Sequence, residues 1–317
     1  MKPVIVCTGL SPLWFACPRV RADDSAYPCP SDESLHVKIA VYANCQSTAI
    51  GFMLTSMIPS SELVRLSPVQ RIPKSQRSEF LAKIVSADIV VHQPIGDGFV
   101  ASSDELRATF PKKVFVSFPS VYFAAMSPQM CGLKHYAEGA INGPLGAYHD
   151  ARIIREYLKG ATIDQCLTAL SDAGPSLLSF FDPMLAEAKA REKNLDVQCM
   201  DIVEDHYREQ NLFHTFNHPS NFLLWRITER IASRLGRNEP ANEARFPKPF
   251  LNHTIAAIPP SIAAYHELKW SQDNYVFDGR KIEMPDLVSD FYSIYSHHDD
   301  FRDVCKRSGT RISIPIF

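Results

Sequence analysis

The sequence predicts an α/β fold: a doubly wound, mainly parallel sheet in the N-terminal half, followed by a mainly helical C-terminal half. Three observations predict it. Short apolar runs alternate with helix-period stretches from Val37 to about Gly143. Strand–helix alternation of this kind implies parallel pairing through crossover helices. Beyond Gly143 the period is mostly helical, with Gly160, Gly174 and Gly236 standing where C-caps are expected.

Each element follows from its own pattern. "VKIAVY" (37–42) is a short apolar strand. "STAIGFMLTSMI" (47–58) reads as a helix with Ile50, Leu54 and Met57 on one side, ended by Pro59. "ELVRL" is a second strand, and "KSQRSEFLAKIVSA" an amphipathic helix with Phe80, Leu81 and Ile84 inward. "DIVVHQP" is a third strand. "SSDELRATF" is a short helix capped by Ser102 or Ser103, and "KKVFVSFP" is the fourth strand. Five helical segments follow: "GAYHDARIIREYLKG", "TIDQCLTALSDAG", "SLLSFFDPMLAEAKAREKN", "VEDHYREQ" and "SNFLLWRITERIASRLG". A proline-rich patch follows Arg237, and the stretch from about Glu267 is mixed. The expected organisation is an N-terminal extension (1–36), a sheet unit (37–145) and a mainly helical part packed on it (146–317).

Composition excludes several classes. The 317 residues are 45% hydrophobic and 21% charged, with a net charge of −2, so no basic surface for nucleic acid is expected. No run of 18 apolar residues predicts a transmembrane helix. The first twenty residues imitate a signal peptide weakly, but Pro3, Pro12 and Pro18 break the apolar run. Eight scattered cysteines form no CxxC pair, which argues against a zinc ribbon and for reduced thiols in a cytoplasmic protein.

In a doubly wound sheet, ligands bind outside the carboxyl ends of the strands. Those ends carry Asn44-Cys45-Gln46, His92-Gln93-Pro94 and Ser117-Phe118-Pro119, the last followed by Tyr122. At a helix start, Cys45 would feel the positive end of the dipole. The turn therefore suits an activated thiol or an anion-binding site. Gln46 is placed to donate to a developing negative charge. The competing reading makes Cys45 a small buried hydrophobe and His92 a satisfied core histidine.

Two further clusters carry histidines. In "LFHTFNHPSNFLLW", His214 and His218 are four apart, and Pro219 reads as the first helical residue, with Asn217 or His218 at the helix start. A metal would need a third ligand and no HExxH motif occurs, so no metal is expected. In "NGPLGAYHDARII", His149 adjoins Asp150. Neighbours on a helix do not face each other, which leaves His149 as an isolated base or a surface helix start.

"NCQ", "HQP", "SFPSVYF", "GAYHD" and "FHTFNHPSNFLL" occur in this order. Together they resemble the WcbI family of capsular polysaccharide biosynthesis proteins, over roughly Val37 to Trp225. The resemblance implies a coenzyme A-binding acetyltransferase. It would move acetyl from acetyl-CoA to a sugar or polysaccharide hydroxyl, on a heptose unit, and it leaves peripheral association with the capsule machinery open. Carried onto this chain, it implies Cys45, His149 and His218 as catalytic residues. Gln46, His92, Gln93, Asn217 and Asp150 would serve oxyanion or substrate binding. Asn44 and Tyr122 would contact coenzyme A, with Lys134, Arg152 and Arg155 the cations flanking the "GAYHD" cluster. Ala43 stands where related sequences often have glycine. A looser likeness to SGNH hydrolases puts Cys45 in place of their serine, but no "GDS" and no clear DxxH block is present.

Three functions compete: an acetyl-CoA:sugar O-acetyltransferase, an SGNH-like esterase or deacetylase, and a non-catalytic ligand-binding component of capsule assembly. For the first, two routes use the thiol. Cys45 carries acetyl as a thioester, the favoured expectation, or the sugar attacks acetyl-CoA directly.

Overall fold

A computed structural model describes residues 36–171, 180–236 and 245–308. The extension up to Leu35 and the expected cap Gly174 lie outside the described residues.

The N-terminal half alternates β1 (Val37–Tyr42), α1 (Ser47–Met57), β2 (Ser61–Val64), α2 (Arg77–Ser86), β3 (Ile89–His92), α3 (Ser103–Thr109) and β4 (Val114–Ser117). The strands are all parallel, in the order β2-β1-β3-β4. Period-2 alternation sorts the side chains of β1. Ile39 and Val41 join Ile50 and Leu54 of α1 on one face, while Ala40 and Tyr42 join Phe80, Ile84 and Leu106 of α2 and α3 on the other. Fully burying each such aliphatic side chain contributes about 1.5–3 kcal/mol. Ser102 caps α3 in a reciprocal capping box with Glu105.

After β4 come short strands β5 (Met130–Gly132), β6 (Lys134–His135), β7 (Gly139–Ala140) and β8 (Tyr148–Asp150), then helices α4 (Ala151–Leu158), α5 (Ile163–Ser171), α6 (Phe181–Glu192) and α7 (Met200–His206). β9 (Phe213–Thr215) and β10 (His218–Pro219) form a tight antiparallel pair that leads into α8 (Asn221–Arg234). β11 (Thr254–Ile255), α9 (Pro260–Tyr265), β12 (Tyr275–Phe277), β13 (Arg280–Ile282), α10 (Met284–Ser296) and α11 (Phe301–Ser308) complete the described chain. α8 packs on α1, and one core runs from Ile39 through Leu224 and Ile227 to Cys305.

Two expectations are corrected here. Tyr148–Asp150 is not the start of a helix: it pairs antiparallel with β5, and Asp150 caps α4 by accepting from the Arg152 N–H. Pro219 is not the first helical residue either. It ends β10, and the Ser220 side chain caps α8, so Asn217 and His218 sit in a turn and strand before the helix.

Candidate active site

From β1 the chain steps to β2 on one side, then crosses to β3 on the other. The strand order therefore reverses between β1 and β3, where Tyr42 and His92 are register partners at the carboxyl ends. A crevice at such a switch point is where open α/β sheets hold ligands.

The Asn-Cys-Gln turn fills this point. The Asn44 Oδ1 accepts from the Gln46 N–H at 3.0 Å, and the Asn44 carbonyl accepts from Ser47 at 3.0 Å, closing an Asx-type turn into α1. Ala43 is fully buried and is not among the residues with positive φ, so the turn needs no glycine there. Gln93 accepts from the Asn44 N–H (3.0 Å) and donates to Gln46 Oε1 (2.8 Å). Gln46 Nε2 donates to the carbonyls of Val121 (2.9 Å) and Asn217 (3.1 Å). These two buried amides clamp the ends of β1 and β3 to the segment after β4 and to the β9–β10 turn. Both Gln46 N–H bonds are committed, so this side chain positions the site rather than donating to a reacting oxygen, contrary to the sequence expectation.

The clamp joins the Asn-Cys-Gln turn to Asn217, and Tyr148, a neighbour of Cys45, meets Asn217 and His218. The Tyr148 hydroxyl donates to Asn217 Oδ1 at 2.8 Å and lies 3.3 Å from His218 Nε2. Thr215 donates to the same Asn217 oxygen at 3.0 Å. With Oδ1 taken twice, Asn217 Nδ2 has no partner among the described residues and is left as a donor. Tyr122 packs at a tilt against Phe216, which packs edge-on against Tyr148, and Arg191 lies over the Tyr122 ring.

Electrostatics refine these roles. Burial pushes the Cys45 thiol up, outweighing its own backbone N–H and the nearby Arg71 cation. Its sulfur has no hydrogen-bonded base among the described residues. The thiol is therefore protonated at rest, and the expected helix-start activation is absent. Burial pulls His218 down to about 4, helped by neighbouring His214 and His253, so it is a neutral imidazole at ordinary pH.

Several expected residues lie elsewhere. On the period-2 strand His92 turns to the face opposite Val91. Its Nδ1–H donates to the Gln93 carbonyl (2.9 Å) and its Nε2 faces Arg107 of α3 (3.1 Å). His149 is fully buried: Nε2–H donates to the Ile141 carbonyl (2.9 Å) and Nδ1 accepts from Tyr295 (3.0 Å). It has no free nitrogen for a substrate, which removes it as the base. Asp150 is fully buried and holds Arg152 (Nη2–Oδ2 2.6 Å), with Tyr275 donating to the same carboxylate at 2.8 Å. That ion pair is structural and leaves no guanidinium for a phosphate. Arg155 pairs with Glu156, and Lys134 is exposed on the β6–β7 hairpin next to α11. The cation that acts on the Cys45 thiol is instead Arg71, whereas Arg191, over the Tyr122 ring, is paired with Glu187. Tyr148 was not singled out by sequence. A strand reading of "GAYHD" would have separated it from His149, because alternate residues face opposite ways.

Burial also pulls His149 and His214 down to about 4. Above the unfolded value of about 6.5 these imidazoles are neutral in both states. Between about 6.5 and 4 only the unfolded chain takes up the protons, so stability should fall as pH falls through that window and level off below it. His149 alone should account for about 3 kcal/mol. Urea unfolding at about pH 7 and about pH 4.5 measures the loss; equal midpoints would contradict it.

The fold and the turn define a class: an α/β protein whose parallel sheet carries a hydrogen-bonded polar turn at its switch point. The family model described as "Polysaccharide biosynthesis enzyme WcbI" matches residues 38–240, and the chain belongs to this family. A solved structure of WcbI, described as a novel polysaccharide biosynthesis enzyme in its native form without a disulfide between coenzyme A and one of its cysteines, superposes with a TM-score of 0.67. It is 22% identical, over 86% of this chain and 99% of that one, and shows the common fold. Zinc-bound AdcA from Streptococcus pneumoniae, with a TM-score of 0.20 and 15% identity over 54% of this chain and 32% of that one, carries no argument. No curated protein matches the sequence significantly. Among the described residues no helix is long and apolar enough to cross a membrane, and no group of three His, Cys, Asp or Glu side chains is arranged to hold a metal ion.

Proposed function

We propose that the protein transfers acetyl from acetyl-CoA to a sugar hydroxyl, on a heptose unit, during capsular polysaccharide biosynthesis. One observation carries the reading: Cys45, Tyr148, Asn217 and His218 converge on a single turn at the switch point. Family membership supports the pathway, and the coenzyme named for the solved relative supports the donor. Cys45 is half-buried, whereas the other described cysteines are fully buried. It is therefore the thiol that a coenzyme sulfur can reach. Arg71 replaces Lys134, Arg152 and Arg155 as the cation for its phosphates.

In this reading His218 accepts the sugar proton as the oxygen attacks the thioester. Asn217 Nδ2 and the open N–H groups in the first turn of α1 stabilise the oxyanion. The raised Cys45 thiol, without a base, favours direct attack by the sugar over an acetyl-cysteine intermediate. Cys45→Ser should keep at least about a tenth of turnover, where loss of a nucleophile costs several orders of magnitude. Mass spectrometry of the wild-type protein with acetyl-CoA should show no acetyl adduct; finding one would restore the covalent route. The site itself is tested with coenzyme A disulfide. It should leave a reductant-sensitive adduct on the wild type and none on Cys45→Ser. Coenzyme A at a hundred times its Kd should also stabilise the fold by about 2.7 kcal/mol. An unmoved unfolding midpoint and no adduct would refute the proposal.

A further inference from the structure

Building on the acetyl-transfer reading, we propose that Tyr148 is the catalytic acid of the reaction: its hydroxyl gives a proton to the departing coenzyme sulfur and is reprotonated by His218. Direct attack leaves two protonic tasks at opposite ends of the reacting group. The sugar oxygen must lose a proton and the thiolate must gain one. His218 performs the first. Its Nε2 lies 3.3 Å from the Tyr148 hydroxyl, and Tyr148 is in turn close enough to Cys45 for the thiol to bear on its ionisation. The tyrosine thus stands between the base and the thiol end of the site.

Its surroundings suit a relay. The ring is held edge-on by Phe216 (centroids 5.4 Å apart) and by His218 (5.7 Å), and its backbone is paired with β5. At rest the hydroxyl donates to Asn217 Oδ1 (2.8 Å). When that proton swings to sulfur, Thr215 still occupies the Asn217 oxygen at 3.0 Å, so no acceptor is stranded. Burial pushes the Tyr148 hydroxyl up to about 12, so it holds its proton across ordinary pH. The His218 imidazolium is a far stronger acid and replaces any proton the tyrosine gives up. Cys45 is a poorer donor, because among the described residues no titratable side chain is hydrogen-bonded to its sulfur to restore its proton.

The step balances without a co-reactant. The sugar O–H breaks and its proton goes to His218 Nε2. The new C–O bond forms and the C–S bond breaks. The Tyr148 proton passes to sulfur, and the proton on His218 passes to the Tyr148 oxygen. The products are the acetyl ester, free coenzyme A and the original enzyme.

The test compares two leaving groups. Tyr148→Phe keeps the ring and should lower kcat/KM with acetyl-CoA by about 10²- to 10⁴-fold, with the thermal shift by coenzyme A unchanged. With the acetyl thioester of 4-nitrothiophenol, whose thiolate leaves without a proton, the same variant should lose less than about tenfold. Equal losses with both donors, or no loss with either, would overturn the proposal. A wild-type enzyme that binds coenzyme A but transfers no acetyl would instead overturn the acetyl-transfer reading, and this inference with it. Fluorotyrosine incorporated at position 148 guards against a folding defect. It preserves the side-chain shape and should draw the alkaline limb of the rate profile to lower pH; a limb that stays put rejects the acid role.

Discussion

His218→Gln should lower acetyl transfer by about 10²- to 10⁴-fold while leaving coenzyme A binding intact. The glutamine fills much of the imidazole's space but cannot accept the sugar proton. A second readout follows from the same side chain. Burial and two neighbouring histidines pull His218 to about 4, so the acid limb of kcat/KM should lie near that value rather than near 6.5. Loss of activity matched by loss of coenzyme affinity would make His218 a binding residue. Full activity in the variant would leave the mechanism without its base.

The largest effect on stability should come from Asp150→Ala, a loss of about 3–5 kcal/mol in equilibrium unfolding. The change strands the Arg152 guanidinium, which is 8% exposed, without a counter-charge. It also removes the acceptor for Tyr275 and the cap of α4. Replacing both partners, Asp150→Leu with Arg152→Met, should cost less than the single change, because no charge is then left buried alone. If Arg152 held a phosphate instead, Arg152→Met would weaken coenzyme binding with little effect on unfolding.

The sheet was legible because its strands and helices carry different periods, and because capping and proline signals mark their ends. Val91 and His92 show both the reach and the limit of that reading. The strand was recognised, yet period 2 already sends His92 and Gln93 to opposite faces, and only Gln93 meets the Asn-Cys-Gln turn. The helical reading of "GAYHD" failed for a different reason. Local periodicity could not reveal that Tyr148–Asp150 pairs with Met130–Gly132, a contact set by tertiary structure. With the strand goes the role of each residue: Tyr148 faces the turn, His149 the core around Tyr295, and Asp150 its own arginine. Asn217 and His218 were found as a pair, although their position owes more to the β9–β10 turn than to the helix that follows. The Cys45 thiol shows a competition between two forces. Its own backbone N–H and Arg71 draw its acidity one way, burial draws it the other, and burial wins, which no motif displays.

The Gln46 clamp also sets an order of events during synthesis. Its carbonyl partner on Asn217 lies 171 residues further along the chain. A ribosome adding about 5–20 residues per second needs roughly ten to thirty seconds to cover that distance. The four parallel strands are complete by Ser117, so the sheet can assemble while His218 has not yet been translated. The nascent chain can thus carry a folded sheet whose Gln46 amide still waits for the carbonyl of the β9–β10 turn.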